Sequence, residues 1–167
     1  MTKRKREITL RFLAEPMEVN FGGKVHGGAV MKWIDQAGYT CAVGWSGHYC
    51  VTVYVGGIRF YKPVLIGHIV EVQAKLIYTG KTSMHVAVDV QAGDPKDRQF
   101  TKTTHCIIIF VAVDGDGKPV EVPAWTPEST EDIALQNYAL RLMELRKDIE
   151  EEMIPYLRAT EGTHASR

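Results

Sequence analysis

The sequence predicts an α+β protein in which one antiparallel sheet covers a single long helix. Two observations carry this prediction. One strand pattern precedes an apolar helix pattern and several follow it, with no strand–helix–strand alternation. The later strands alternate apolar and polar residues, as a sheet with one packed face does.

Ile8 to Ala14 reads as the first strand. Pro16 to Lys24 reads as a loop, broken by Pro16 and by Gly22-Gly23. The helix starts near Gly27 or Gly28 and runs to about Gly44. Val30, Ile34, Ala37 and Cys41 recur at helical spacing and share one face, while Lys32, Gln36, Tyr39 and Val43 lie on the other side. At about 100° per residue, Asp35 falls roughly 120° from the centre of the apolar face. It therefore sits at the rim of the stripe.

Strand patterns follow over Cys50–Arg59, Ile69–Tyr78, Ser83–Gln91 and Phe100–Val113. In the second of these, Val70, Val72, Ala74 and Leu76 alternate with Glu71, Gln73 and Lys75. In the third, Met84, Val86, Val88 and Val90 alternate with His85, Ala87 and Asp89, which predicts a wetter outer face. Thr79-Gly80-Lys81 and Gly93-Asp94-Pro95 mark hairpin connections. Asp114-Gly115-Asp116-Gly117-Lys118-Pro119 has the look of a calcium loop but lacks the downstream ligands, so a plain tight turn is expected. A second helix is expected over 128–154, capped by Thr126 or Ser129. Its stripe of Leu135, Tyr138, Leu142, Leu145 and Ile149 suits docking on the parent domain or on a neighbouring subunit. The expected organisation is a domain over 1–125, a helix within 126–160 and a flexible tail over 161–167.

Composition narrows the function. The chain has 167 residues, 45% of them hydrophobic, and 20 basic residues balance 20 acidic ones. A chain of this size builds a real core. Zero net charge gives no field drawing in nucleic acid or an acidic membrane. No apolar run approaches the roughly 20 residues of a membrane span. Lys3-Arg4-Lys5-Arg6 reads as a solvated tail with no apolar segment behind it, not as a signal peptide. Cys41, Cys50 and Cys106 are odd in number and dispersed, so a disulfide framework is not expected and a cytoplasmic location is. His48 and Cys50 lack a second close pair, so no metal site is expected.

The segment Asn20 to Asp35 holds the chemistry: a glycine-rich loop runs into an apolar helix that carries one carboxylate. Backbone N–H groups at a helix start can polarise a carbonyl, here at Gly27 and Gly28. Asp35 can take a proton from water, and Asn20 can orient that water or the carbonyl. A thiol ionises near pH ~8.5, so a thioester leaves without a dedicated acid. The plainer readings stand beside these. Asp35 can be a surface residue, the glycines can serve close packing, Asn20 can be a turn residue, and His26 reads as a capping or core histidine before a base. No Gly-x-Ser-x-Gly elbow is present.

Four segments together resemble the hotdog-fold acyl-CoA thioesterases, the cytosolic acyl-CoA hydrolases. They are Asn20 through Asp35 with His26-Gly27-Gly28, then Arg59-Phe60-Tyr61-Lys62-Pro63 with Gly67, then Tyr78 through Met84, then Gly117-Lys118-Pro119 through Pro123. The resemblance covers about residues 8 to 150. It implies a sheet wrapped around the central helix, a homodimer joined edge to edge and assembled as a trimer of dimers, and active sites at the dimer interface. It further implies Asn20 of one subunit facing Asp35 of the other. Asp35 is then the general base, or a nucleophile forming a mixed anhydride, with Gly27 and Gly28 at the thioester oxygen. His26, Arg59, Gly80, Lys81, Thr82 and Ser83 fall on the substrate-binding side. The reaction implied is hydrolysis of fatty acyl-CoA, with coenzyme A part of substrate and product and no separate cofactor. The other expectations weighed are a hotdog hydratase or dehydratase using His26 with a carboxylate, and a non-catalytic acyl-CoA sensor.

Overall fold

The computed structural model describes residues 4–164, and side chains up to 159. The chain divides into two compact units, one ending at Trp125 and the other starting at Thr126.

In the first unit, the strands β1 (Glu7–Leu13), β2 (Tyr49–Phe60), β3 (Ile69–Thr79), β4 (Ser83–Gly93) and β5 (Thr101–Val113) form one sheet in the order β1-β3-β4-β5-β2. Every pairing is antiparallel. The helix α1 (Gly27–Ser46) touches all five strands, so the sheet wraps it. This is the predicted architecture, with each element within two residues of its expected ends.

The helix buries the face its periodicity marks. Val30, Ile34, Ala37 and Cys41 are all buried, joined by Trp33, Gly38 and Ala42. They meet Val70, Val72, Ala74 and Leu76 of β3, Val86 and Val88 of β4, and Ile108 and Phe110 of β5. Gly38 sets the closest approach, since a Cβ there would lie 2.9 Å from the Phe110 ring. The turn at Asp114 is a plain one. Its Oδ1 accepts from the N–H groups of Asp116 and Lys118, both at 2.9 Å, and Gly117 adopts the left-handed φ of 78°.

Three expectations need correction. The outer face is wet along β1 and most of β3 but closed at Ile77 and over much of β4 and β5. His85, Ala87, Ile107 and Ile109 are all buried there, because β5 alternates isoleucines onto that face as well. Arg6 is no solvated tail residue: its carbonyl accepts from Leu76 N at 2.8 Å and its guanidinium lies 4.5 Å from the centre of the Trp125 ring. The second helix is longer than expected.

In the second unit, α2 (Thr130–His164) passes through Pro155. Proline forfeits one backbone hydrogen bond, but good helix formers flank it on both sides and the helix continues. Residues 161–164 of the expected tail are therefore helical, and 165–167 lie outside the described residues. Ser129 is the cap: its Oγ accepts from Asp132 N at 3.1 Å while Asp132 Oδ2 accepts from Glu128 N at 3.3 Å. Arg141–Glu144 and Arg146–Glu150 pair along the surface. Among the described residues, no helix is long and apolar enough to cross a membrane.

Candidate active site

The loop that leads into α1 is wired by its own side chains. Asn20 Oδ1 accepts from Gly22 N at 2.9 Å and from Lys24 N at 3.1 Å. Gly23 closes the turn with φ 77°, and His26 N donates to Glu18 O at 2.7 Å. Asn20 thus builds the loop through its oxygen.

His26 is the N-cap of α1, its Nδ1 accepting from Gly28 N at 3.1 Å. The capping reading is the one the structure supports. It also removes one of the two expected amide donors, because the Gly28 N–H is already committed. Ala29 N and Val30 N donate to His26 O. Of this first turn, the Gly27 N–H is the donor available to a ligand. Packing does not demand a glycine at 27 either: a Cβ there would come no nearer than 3.9 Å, to Phe60. What a bare glycine does provide is room for a ligand to approach the backbone.

Asp35 lies two turns further on, exposed on the flank of α1 that faces the edge strand β2. Thr52 Oγ1 donates to Asp35 Oδ1 at 2.8 Å. That bond fixes the carboxylate and leaves its second oxygen for other work. Thr52 stands just before a register break in β2, between Thr52 and Tyr54, and a second break lies between Gly56 and Arg59. Such bulges re-aim side chains, and they gather beside active sites. Sequence reasoning missed Thr52, since nothing in the local pattern of a Val- and Tyr-rich strand singles out one threonine.

Gly27 and Asp35 are not neighbours within one chain. Eight residues of helix separate them by about 12 Å along the axis. The expected substrate-binding residues are also split. Arg59 pairs opposite His105 and stacks 5.5 Å from the Tyr61 ring, whereas Ser83 pairs opposite Val111. Those two positions on β5 are roughly 20 Å apart. No single phosphate reaches both within one chain. In the hairpin itself, Gly80 N donates to Ser83 O at 2.9 Å, Thr82 O accepts from Ala112 N, and Lys81 Nζ pairs with Glu121 at 3.2 Å. A Cβ at Gly80 would fall 2.5 Å from Ser83 Oγ, so that hydroxyl would have to rotate aside for any larger residue.

The thiols are not candidates for nucleophile. Cys41, Cys50 and Cys106 are all free and buried. Burial pushes Cys41 up to about 12 and Cys106 up to about 11, and raises Cys50 as well. Two open cavities are lined by neither Asn20 nor Asp35: one of about 640 Å³ around His48, Tyr49, Val51 and Asp114, and one of about 280 Å³ around Phe12, Glu18 and Trp33.

Comparison with known proteins places the chain in a family. The thioesterase superfamily profile matches residues 22–98. The acyl-CoA thioester hydrolase YciA of Salmonella typhimurium is 36% identical over 121 residues, which span 70% of this chain and 90% of the relative. A hexameric acyl-CoA thioesterase solved without ligand superposes with a TM-score of 0.83 at 29% identity, covering 87% of this chain and 93% of that one. The acyl-CoA hydrolase of Staphylococcus aureus, solved with butyryl coenzyme A and coenzyme A, superposes with a TM-score of 0.80 at 26% identity over 91% and 94% of the two chains. Its structures include variants in which an Asp, an Asn or a Thr is replaced by Ala. Those three residues have the same spacing as Asn20, Asp35 and Thr52 here. The chain belongs to the thioesterase superfamily, as a hotdog-fold acyl-CoA thioester hydrolase.

Proposed function

We propose that the chain hydrolyses fatty acyl-CoA at sites shared between two copies, each site using Asp35 of one copy and Gly27 with Asn20 of the other. The Gly27 N–H polarises the thioester carbonyl and holds the negative charge that develops on its oxygen. Asp35, held by Thr52, takes a proton from the attacking water. Water oxygen bonds to the carbonyl carbon, the carbon–sulfur bond breaks, and coenzyme A leaves as a thiolate. Asn20, its Oδ1 already bonded within the loop, has its amide nitrogen for the carbonyl or the water. Coenzyme A enters as part of the substrate, and the reaction uses no separate cofactor.

The separation of Gly27 from Asp35 along one helix carries the reading. A second helix running antiparallel places the partner's amide beside this chain's carboxylate. A surface suited to such a partner is present. β2 is an edge strand, and Val53, Val55, Met31 and Phe21 are exposed large apolar residues on or near this flank. The hydratase reading is disfavoured, because the His26 ring caps the helix and is not paired with a carboxylate. Solved relatives are hexameric, and we extend this to a trimer of dimers acting in the cytoplasm.

Complementation tests the shared site. Gly27→Pro removes one N–H from the first helical position, where proline is tolerated, and His26 already has the extended ψ of 133° that a following proline needs. Gly27→Pro and Asp35→Ala are each expected to lose about 10²-fold or more in coenzyme A release from acyl-CoA. Mixed and reassembled, they should recover roughly a quarter of wild-type turnover, because half the dimers are mixed and each mixed dimer holds one intact site. No recovery from folded, mixed dimers would refute the shared site.

A further inference from the structure

We propose that the Tyr39–Tyr49 ring pair closes the acyl end of the site and restricts it to short acyl chains, an inference that rests on Asp35 being the base. Tyr39 follows Asp35 by one helical turn on the same flank of α1, about 5.4 Å along the axis. Tyr49 starts β2, three residues before Thr52. The two rings meet edge to face, with centroids 6.1 Å apart and planes at 62°. They therefore stand together one turn beyond the Asp35–Thr52 hydrogen bond.

The charges along β2 fix which end of the substrate comes this way. In the opposite direction from Thr52 the strand leads to Arg59 and then Lys62, cations suited to the phosphates of coenzyme A. At the Tyr49 end the turn carries Asp114 and Asp116 against Lys118, and Lys81 pairs on the surface with Glu121. Phosphates are favoured toward Arg59, so the acyl chain runs toward the tyrosines. Tyr49 is 62% exposed, and its far side lines the open cavity of about 640 Å³ with Gly47, His48, Val51 and Val113. In this proposal the Tyr49 ring stands between the acyl end of the site and that space, so its removal would join the two.

Steady-state kcat/KM for acetyl, butyryl, octanoyl and palmitoyl coenzyme A tests the inference, with thermal melts confirming that each variant folds. Wild type is expected to favour the short thioesters. Tyr49→Ala should raise the palmitoyl-to-butyryl ratio about 10- to 100-fold, the scale on which apolar pockets discriminate chain length. Tyr49→Trp should move the octanoyl-to-butyryl ratio the opposite way. Unchanged ratios in both folded variants, or in Tyr49→Trp alone if Tyr49→Ala does not fold, overturn the proposal. So does a wild type that turns over palmitoyl and butyryl thioesters equally. Absence of coenzyme A release from every thioester by wild type strikes the underlying hydrolase reading, and this inference with it.

Discussion

At the start of α1 almost every polar group is answered by the chain itself: Asn20 ties its loop, His26 caps Gly28, and the His26 carbonyl takes the next two amides. Eight residues on, Asp35 meets Thr52 and is otherwise exposed. The first region is a finished frame around one available donor. The second is a carboxylate aimed outward from the fold. If the site is shared as proposed, the difference teaches that a chain can prefabricate the electrophilic half and the basic half of a site separately, and leave their meeting to assembly. Preorganising the Gly27 N–H matters because a donor already in place does not reorganise during reaction.

Removing the outward half should have the largest effect. Asp35→Ala is expected to lower turnover about 10²- to 10⁴-fold, measured by coenzyme A release with a thiol reagent. Loss of the framed donor in Gly27→Pro should cost about 10²- to 10³-fold in kcat, with the melt unchanged within a few degrees. The link between carboxylate and strand comes next. Thr52→Ala should lower turnover about 10-fold, as befits one hydrogen bond to a charged group, and Thr52→Ser should restore most of it. Equal turnover in the Ala and Ser variants would show that Thr52 fills space and does not position Asp35.

The contrast also marks what could be read from the sequence. The buried face of α1 was legible because Val30, Ile34, Ala37 and Cys41 repeat with the helix itself. So were the strands, whose alternation is local. Asp35 and the glycine-led helix start are legible for the same reason: each is an oddity within its own segment. Thr52 is not, because its meaning depends on β2 folding back along α1 and breaking register at that point. The commitment of Gly28 to His26 depends on one ring's orientation, which spacing does not encode. Closure of the outer face over β4 and β5 escaped prediction because Ala87, Ile107 and Ile109 sit in runs apolar on both faces, where alternation gives no direction.

The smallest predicted effect lies away from the site, on the outer face. Burial raises the Asp89 carboxyl, but His105 Nδ1 and Lys102 Nζ, both 2.9 Å from its Oδ1, outweigh that and hold it below the ordinary value of 3.8. A depressed carboxyl adds stability above its unfolded value and loses it as pH falls through the folded one. Melting temperature should therefore separate wild type from Asp89→Asn at neutral pH. The gap should narrow as pH drops below about 3.8. A gap that stays constant down to pH ~2 would mean that the pair contributes no charge-dependent stability.

The three sequestered cysteines have a consequence for an enzyme whose product is itself a thiol. Each turnover frees a sulfhydryl beside the protein, and a reactive surface cysteine would be open to capture by it under oxidising stress. Held protonated and out of contact, with Cys41 up to about 12 and Cys106 up to about 11, these sulfurs offer no thiolate to form a mixed disulfide with coenzyme A. With all three cysteines buried, the chain presents no surface thiol for its own product to capture.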